Sequence, residues 1–307
     1  MSINYKGYEY FYVNGSSHTK GGGFETTNAA WTWEFMGPYY KEHYNVEWNT
    51  CEDVNWGTRL SEIIGIPCHN HAMQGGGLDR AIRKTYEFIE DNWDNKHKFF
   101  IILETPDESR TDVYYNPWKE FFLMNDSQES GFHHATTNYF PEPSNIDDVQ
   151  EDFKWYYEKF HNRKEHFKAN NRNLAGLYSF CKRVGIPIKI MQRDWSYYTE
   201  YYDKTDIISS SDNSLNLIDF CIQNKRQIKH ETNFTVIDGH PGYFAHIEYA
   251  KLIKEWLEIN LINNVQVVNM ENDKQKEKTN KKLLWENQFK KSLKELSERD
   301  PFIYGKN

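Results

Sequence analysis

Tyr10-Phe11-Tyr12-Val13-Asn14-Gly15-Ser16-Ser17-His18-Thr19-Lys20-Gly21-Gly22-Gly23 is the stretch from which the fold can be read. Its apolar run, Glu9 to Val13, predicts a first strand. The run ends in Gly-Ser-Ser-His and then three glycines. An open α/β sheet binds ligands in the crevice beyond the carboxyl ends of its strands, which is where this turn would lie. Ser17 is therefore a candidate nucleophile, provided that other parts of the chain supply a base and donors for an oxyanion.

Reading outward, residues 14–30 form a Gly/Ser/Thr loop leading to Trp31-Thr32-Trp33-Glu34-Phe35, a helix start. Trp56 to Gly65 predicts a short amphipathic helix ended by its glycine. Residues 66–72 are a short extended run, followed by Gly75-Gly76-Gly77. A helix is predicted from Leu78 to about Trp93, with apolar residues at Leu78, Ala81, Ile82, Tyr86 and Ile89. Lys98 to Leu103 is apolar without interruption, as a parallel strand buried on both faces should be.

Residues 106–165 are irregular, aromatic and rich in His, Asn, Asp and Pro, and read as an insertion over the strand ends. Asn170 to Val184 predicts a helix closed by Gly185, and Ile186 to Met191 another strand. Ser214 to Asn224 reads as a helix, Phe234 to Ile237 as a short extended run, and Ala245 to Ile259 as a closing amphipathic helix. Strands alternating with helices predict a three-layer α/β domain of flavodoxin-like form, with a parallel sheet and helices on both faces. That domain is expected over residues 1–262. Residues 263–307 are expected as a charged helical extension suited to self-association or a protein partner, with a partly disordered tail as the alternative.

The composition excludes several function classes. A net charge of −8 and a pI of about 5.9 provide no basic footprint for nucleic acid. No segment approaches the ~20 apolar residues of a membrane span. Met1-Ser2-Ile3-Asn4-Tyr5-Lys6 lacks the apolar region of a secretion signal, so a cytoplasmic or virion-associated protein is expected. Cys51, Cys68, Cys181 and Cys221 lie far apart with no CxxC pair, which suits reduced thiols. Aromatic residues make up 16% of the chain, enough for some rings to line a groove for sugars or flat ligands, with core packing as an equal alternative.

Three glycine-bearing loops follow strand-like runs: Gly15-Ser16-Ser17, Gly75-Gly76-Gly77 and Asp238-Gly239-His240-Pro241. A doubly wound sheet gathers such loops at one edge, so distant residues can meet there. His240 is the candidate base, with Asp238 or another carboxylate orienting its ring. The Gly75 and Ser17 amides are candidate oxyanion donors.

On these residues the chain resembles the SGNH (GDSL-type) hydrolases, most of all the group often encoded by bacteriophages and marine bacteria. Gly15-Ser16-Ser17 resembles the first block, Gly-Asp-Ser in the family and often Gly-Cys-Ser-His-Thr in the phage-like group. Asn70 to Arg80 resembles the second block, with Gly75 as the match to its oxyanion glycine. Phe99 to Thr105 resembles the third strand, and Asp238-Gly239-His240-Pro241, with His246 after it, the last block. The resemblance spans about residues 8–260 and implies ester hydrolysis through an acyl-serine, with no cofactor. It implies Ser17 as nucleophile, His240 as base, Asp238 as acid, and an O-acetylated carbohydrate as substrate. A small-molecule ester is the broader class.

Two departures stand out. The third block lacks its Gly-x-Asn and ends Leu103-Glu104-Thr105, leaving the Thr105 hydroxyl as donor. Losing one oxyanion donor typically costs ~10²–10³ in rate. The last block is spaced Asp-x-His, with Ile237 at the usual acid position. Asp238, Glu104, Asp107 or a backbone carbonyl therefore remain as partners for His240. His18 reads either as a substrate contact or as a structural hydrogen bond to a neighbouring loop, and Arg110 as a site for an anionic substrate group. His69-x-His71 and His133-His134 are ligand-like, but no cysteine or carboxylate cluster completes a metal set. The alternative function is a non-catalytic binding or virion-assembly protein that retains the fold. Sequence does not separate hydrolysis from acyl transfer.

Overall fold

In chain order the strands are β1 (Tyr10–Asn14), β2 (Cys68–Asn70), β3 (Phe99–Thr105), β4 (Arg110–Tyr115), β5 (Glu120–Asn125), β6 (Ile188–Gln192) and β7 (Ile207–Ile208). The helices are α1 (Ser17–Lys20), α2 (Trp56–Ile64), α3 (Leu78–Asp91), α4 (Arg163–Val184) and α5 (Tyr243–Asn260). The computed structural model of the chain describes residues 5–21, 50–73, 76–106, 110–115, 120–125, 162–192, 199–208 and 241–260, with positions 41, 42, 45, 47, 155 and 159. The readings for Trp31 to Phe35, Ser214 to Asn224, Phe234 to Ile237 and residues 263–307 lie outside them.

One parallel sheet has the order β2-β1-β3-β6-β7. This is the doubly wound order 2-1-3-4-5 of flavodoxin-like folds. The α/β fold expected from the sequence is therefore the observed one. β3 lies at the centre, and all of its residues are buried, which is why Phe99 to Leu103 is an unbroken apolar run. Side chains alternate across the sheet. Tyr12, Phe99, Ile101, Leu103, Ile188 and Ile190 pack with α3 and α4 on one face. Phe11, Val13, Phe100, Ile102 and Met191 pack with α2 and α5 on the other. Each fully buried side chain of this size stabilises the fold by roughly 1.5–3 kcal/mol.

The helices carry the caps that their sequences promise. The Asn55 side chain accepts a hydrogen bond from Thr58 N–H at the start of α2 (2.9 Å), and Gly65 closes that helix in the left-handed conformation. Asn162 accepts from Glu165 N–H (3.2 Å), which starts α4 seven residues before the expected Asn170. The polar first turns of α4 carry no apolar period, so its start was hidden from a pattern reading. β4 and β5 form an antiparallel hairpin, with Val113 opposite Phe122, inside the segment expected to be irregular. Its β-branched and aromatic residues favour strand structure.

Aromatic rings serve the core: Tyr12 stacks on Phe88 with centroids 4.2 Å apart, and Phe11 on Phe100 at 5.3 Å. Among the described residues, the exposed large apolar side chains are Ile63, Trp155 and Tyr201. Cys51, Cys68 and Cys181 carry thiols outside any disulfide, and burial pushes the Cys68 and Cys181 thiols up. No helix among the described residues is long and apolar enough to cross a membrane.

A buried ion cluster ties β6 to the start of β7. Lys189, with a fully buried side chain, donates to Asp206 Oδ1 and to the Thr205 carbonyl (3.0 Å), and its ammonium lies 5.0 Å from the Trp256 ring centroid. Asp206 Oδ2 accepts from Tyr178 OH (2.8 Å) and Lys182 Nζ (2.7 Å) on α4. Burial pushes the Lys189 ammonium down, partly countered by Asp206. Burial works to raise the Asp206 carboxyl, but Lys189, Lys182 and Tyr178 outweigh it and hold the group below the usual range.

Asp206→Asn leaves Lys189 buried beside a neutral partner and is expected to cost about 3–5 kcal/mol in urea denaturation at pH 7. The folded carboxyl titrates below its unfolded value of about 3.9, so its contribution is complete above that pH and is lost as pH falls through the folded value. The stability gap between wild type and Asp206→Asn should therefore narrow at acid pH; a pH-independent gap would contradict this assignment.

Candidate active site

β1 and β3 run side by side, with Asn14 level with Leu103. The helix that follows β1 in the sheet's winding, α2, packs on one face, and α4, which follows β3, packs on the other. The crevice between these two strand ends is the topological switch point, where open α/β sheets bind ligands. Gly15-Ser16-Ser17 leaves β1 directly into it.

The turn is built from below by Asn14. Its Oδ1 accepts from Gly15 N–H (2.8 Å), and its Nδ2 donates to Tyr12 OH (2.8 Å) and to the Ala81 carbonyl of α3 (3.1 Å). Gly15 has φ +155°, and a Cβ there would sit 2.5 Å from both Cβ and Oε2 of Glu104. Only glycine lets the chain pass this close. Ser16 then caps α1 from an extended conformation, its Oγ accepting from His18 N–H (3.4 Å). Ser17 is the first residue of α1, and Gly21 N–H closes the turn on the Ser17 carbonyl (3.0 Å).

Glu104, 1% exposed at the end of β3, reaches across to this turn. Its Oε2 accepts from Ser16 N–H (3.1 Å) and from the Thr19 hydroxyl, and its Oε1 from the Ser16 hydroxyl (2.7 Å). The single hydrogen of Ser16 Oγ is thus committed to the carboxylate. With Glu104 ionised, the contact between Ser16 Oγ and His18 Nδ1 (3.3 Å) has the ring as donor, which assigns a hydrogen to Nδ1.

Ser17 and His18 are 3% and 6% exposed, so both lie under cover at the crevice. His18 contacts Ser16 within its own turn. Thr105 is buried at the end of β3, and strand alternation puts it on the α3/α4 face, opposite Glu104. Arg110 opens β4. Gly75, Asp107, Asp238 and His240 lie outside the described residues, but segments next to them do not. The second loop packs on the first: Met73 N–H donates to the Gly15 carbonyl (3.2 Å), and Gly76 N–H to the Met73 carbonyl (3.0 Å). Asn70 Nδ2 donates to the Thr19 carbonyl (3.1 Å). On the other side, fully buried His246 of α5 accepts from Trp56 N–H at the start of α2 through Nδ1 (3.2 Å), and its own N–H bonds the Gly242 carbonyl (3.2 Å).

The rings of His69 on β2 and of His71 just beyond it lie on one side of the sheet, as their spacing requires, but they meet aromatic rings there. His69 lies 5.1 Å from Tyr10, and His71 5.1 Å from Tyr12. Burial pushes both imidazoles below their usual value, and His69, Lys84 and Arg80 lower His71 further. Among the described residues no group of three or more His, Cys, Asp or Glu side chains gathers as a metal site would require. Sequence reasoning weighed Glu104 only as a partner for His240; its hold on Ser16 and Thr19 was missed. The available signal was a carboxylate ending an apolar central strand, since buried charges are paired or hydrogen-bonded.

Gly15→Ala combines a disfavoured φ with a Cβ conflict at Glu104, and is expected to cost roughly 1–3 kcal/mol in denaturant unfolding. A variant as stable as wild type would contradict the close approach described here.

No protein-family model matches the chain, and no curated protein matches it. Among solved structures, the chain is similar to the psychrotrophic esterase EstA from Pseudoalteromonas sp., at 10% identity and a TM-score of 0.38, over 82% of this chain and 98% of that one. It is also similar to the acetyl xylan esterase Est2A from the rumen bacterium Butyrivibrio proteoclasticus, at 11% identity and a TM-score of 0.37, over 82% of this chain and 64% of that one.

Proposed function

We propose that this chain is a serine esterase of the SGNH type. Ser17 Oγ attacks the ester carbonyl as His240 takes its proton, with Asp238 orienting the imidazole. The Ser17 and Gly75 amides and the Thr105 hydroxyl hold the oxyanion. His240 returns the proton to the departing alcohol, leaving an acyl-serine. Water then attacks, with His240 again as base, and releases the acid and free Ser17. The substrate is an O-acetylated carbohydrate, met by His18 and Arg110, and the chemistry draws on protein groups alone.

The observation that carries this reading is the position of Ser17. It is the first helical residue beyond β1, at the β1/β3 switch point, in a turn gripped by Glu104. Two further contacts support it. The loop that carries Gly75 is anchored on Gly15 through Met73. The first turn of α5, which follows His240 in sequence, is tied through His246 to Trp56, whose neighbour Asn55 lies against Gly21 at the end of α1. A non-catalytic binding or assembly protein is favoured instead by the near-complete burial of Ser17 and Thr105.

Turnover of p-nitrophenyl acetate separates the two. The esterase reading predicts activity in wild type and a loss of at least ~10³-fold in Ser17→Ala. Equal rates in the two proteins would sink the nucleophile and favour the binding protein.

A further inference from the structure

We infer that Glu104 is a positioning residue for the Ser17 nucleophile, acting through Ser16 and Thr19; this rests on the esterase reading above. The donors it accepts from are the N–H and hydroxyl of Ser16 and the hydroxyl of Thr19, which flank Ser17 in sequence. The backbone that carries Ser17 therefore cannot turn without breaking charge-assisted bonds on one side or the other, and that backbone sets where the side chain leaves the turn. Gly15 completes the device, because any side chain there would displace the carboxylate. β3 supplies the rigid support: Glu104 is level with Met191 of β6, and the strand is buried throughout. A site built on a central strand holds its geometry better than one braced by a loop.

The hydrogen count gives the arrangement a signature. An ionised carboxylate only accepts, so Ser16 Oγ–H points to Glu104 and His18 must carry its hydrogen on Nδ1. A glutamine at position 104 has nearly the same shape but places an NH₂ against one of these donors. Ser16 Oγ can then accept from the amide and turn its own hydrogen to His18 Nδ1, which moves the ring hydrogen to Nε2.

The test is Glu104→Gln in the full chain, with folding checked by circular dichroism. With p-nitrophenyl acetate, kcat is expected to fall about 10²-fold with KM unchanged, as for a misaimed reacting group. Nitrogen-15 NMR of the His18 ring should show the Nδ1–H tautomer in wild type and Nε2–H in Glu104→Gln. An unchanged kcat, or a rise in KM alone, overturns the proposal. Should Glu104→Gln not fold, Thr19→Val alone removes one donor, and an unchanged kcat there overturns it equally. Should wild type show no Ser17-dependent turnover, the esterase reading fails and the NMR decides the relay: a His18 ring still Nδ1–H in Glu104→Gln overturns it.

Discussion

The architecture of the crevice depends on one close approach, that of the Glu104 carboxylate to the backbone at Gly15. The side chain comes from the central strand, and the turn comes from the strand beside it. Because Gly15 has no Cβ, the carboxylate reaches the Ser16 amide, and because Ser16 and Thr19 carry hydroxyls, both oxygens are satisfied. Burying an ion is costly unless hydrogen bonds replace its water. Here the replacement donors come from the Ser16–Thr19 turn itself, so the requirement that satisfies the charge also sets the turn. Asn14 completes the arrangement from the opposite face, tying Gly15 to Tyr12 and α3.

The sheet divides its polar interior between two places. At the switch point, Glu104 organises the turn that holds Ser17. At the start of β7, Asp206 joins Lys189 to Tyr178 and Lys182 on α4, and so pins the edge of the sheet to the helical layer. The two clusters differ in what they hold. The Asp206 cluster pairs charge with charge between regular elements. The Glu104 cluster pairs a carboxylate with neutral donors from a short turn, leaving that turn polar and chemically usable.

Much of this was legible in the sequence, for physical reasons. β3 and α3 announced themselves because burial on both faces, or on one helical face, imposes an apolar pattern. Gly65 and Gly185 marked helix ends because the left-handed cap suits glycine. Other features left no such trace. β7 is two residues long, too short for any period. The β4–β5 hairpin lay in a segment whose His, Asn and Pro content argued for irregular structure, although its own residues favour strands. Glu104 and Lys189 interrupt apolar strands, and only the three-dimensional neighbourhood shows what satisfies them. Ser17 was legible as a candidate from the Gly-Ser-Ser turn; the brace behind it was not, because its two halves are 88 residues apart.

On the esterase reading, the turn presents Ser17, and not its capping neighbour Ser16, for covalent chemistry. The direct measurement is peptide mapping by tandem mass spectrometry after reaction of the folded protein with a fluorophosphonate. A single phosphonyl adduct on Ser17 is expected, absent after denaturation before labelling. An adduct on Ser16, or no adduct on the folded protein, would contradict it.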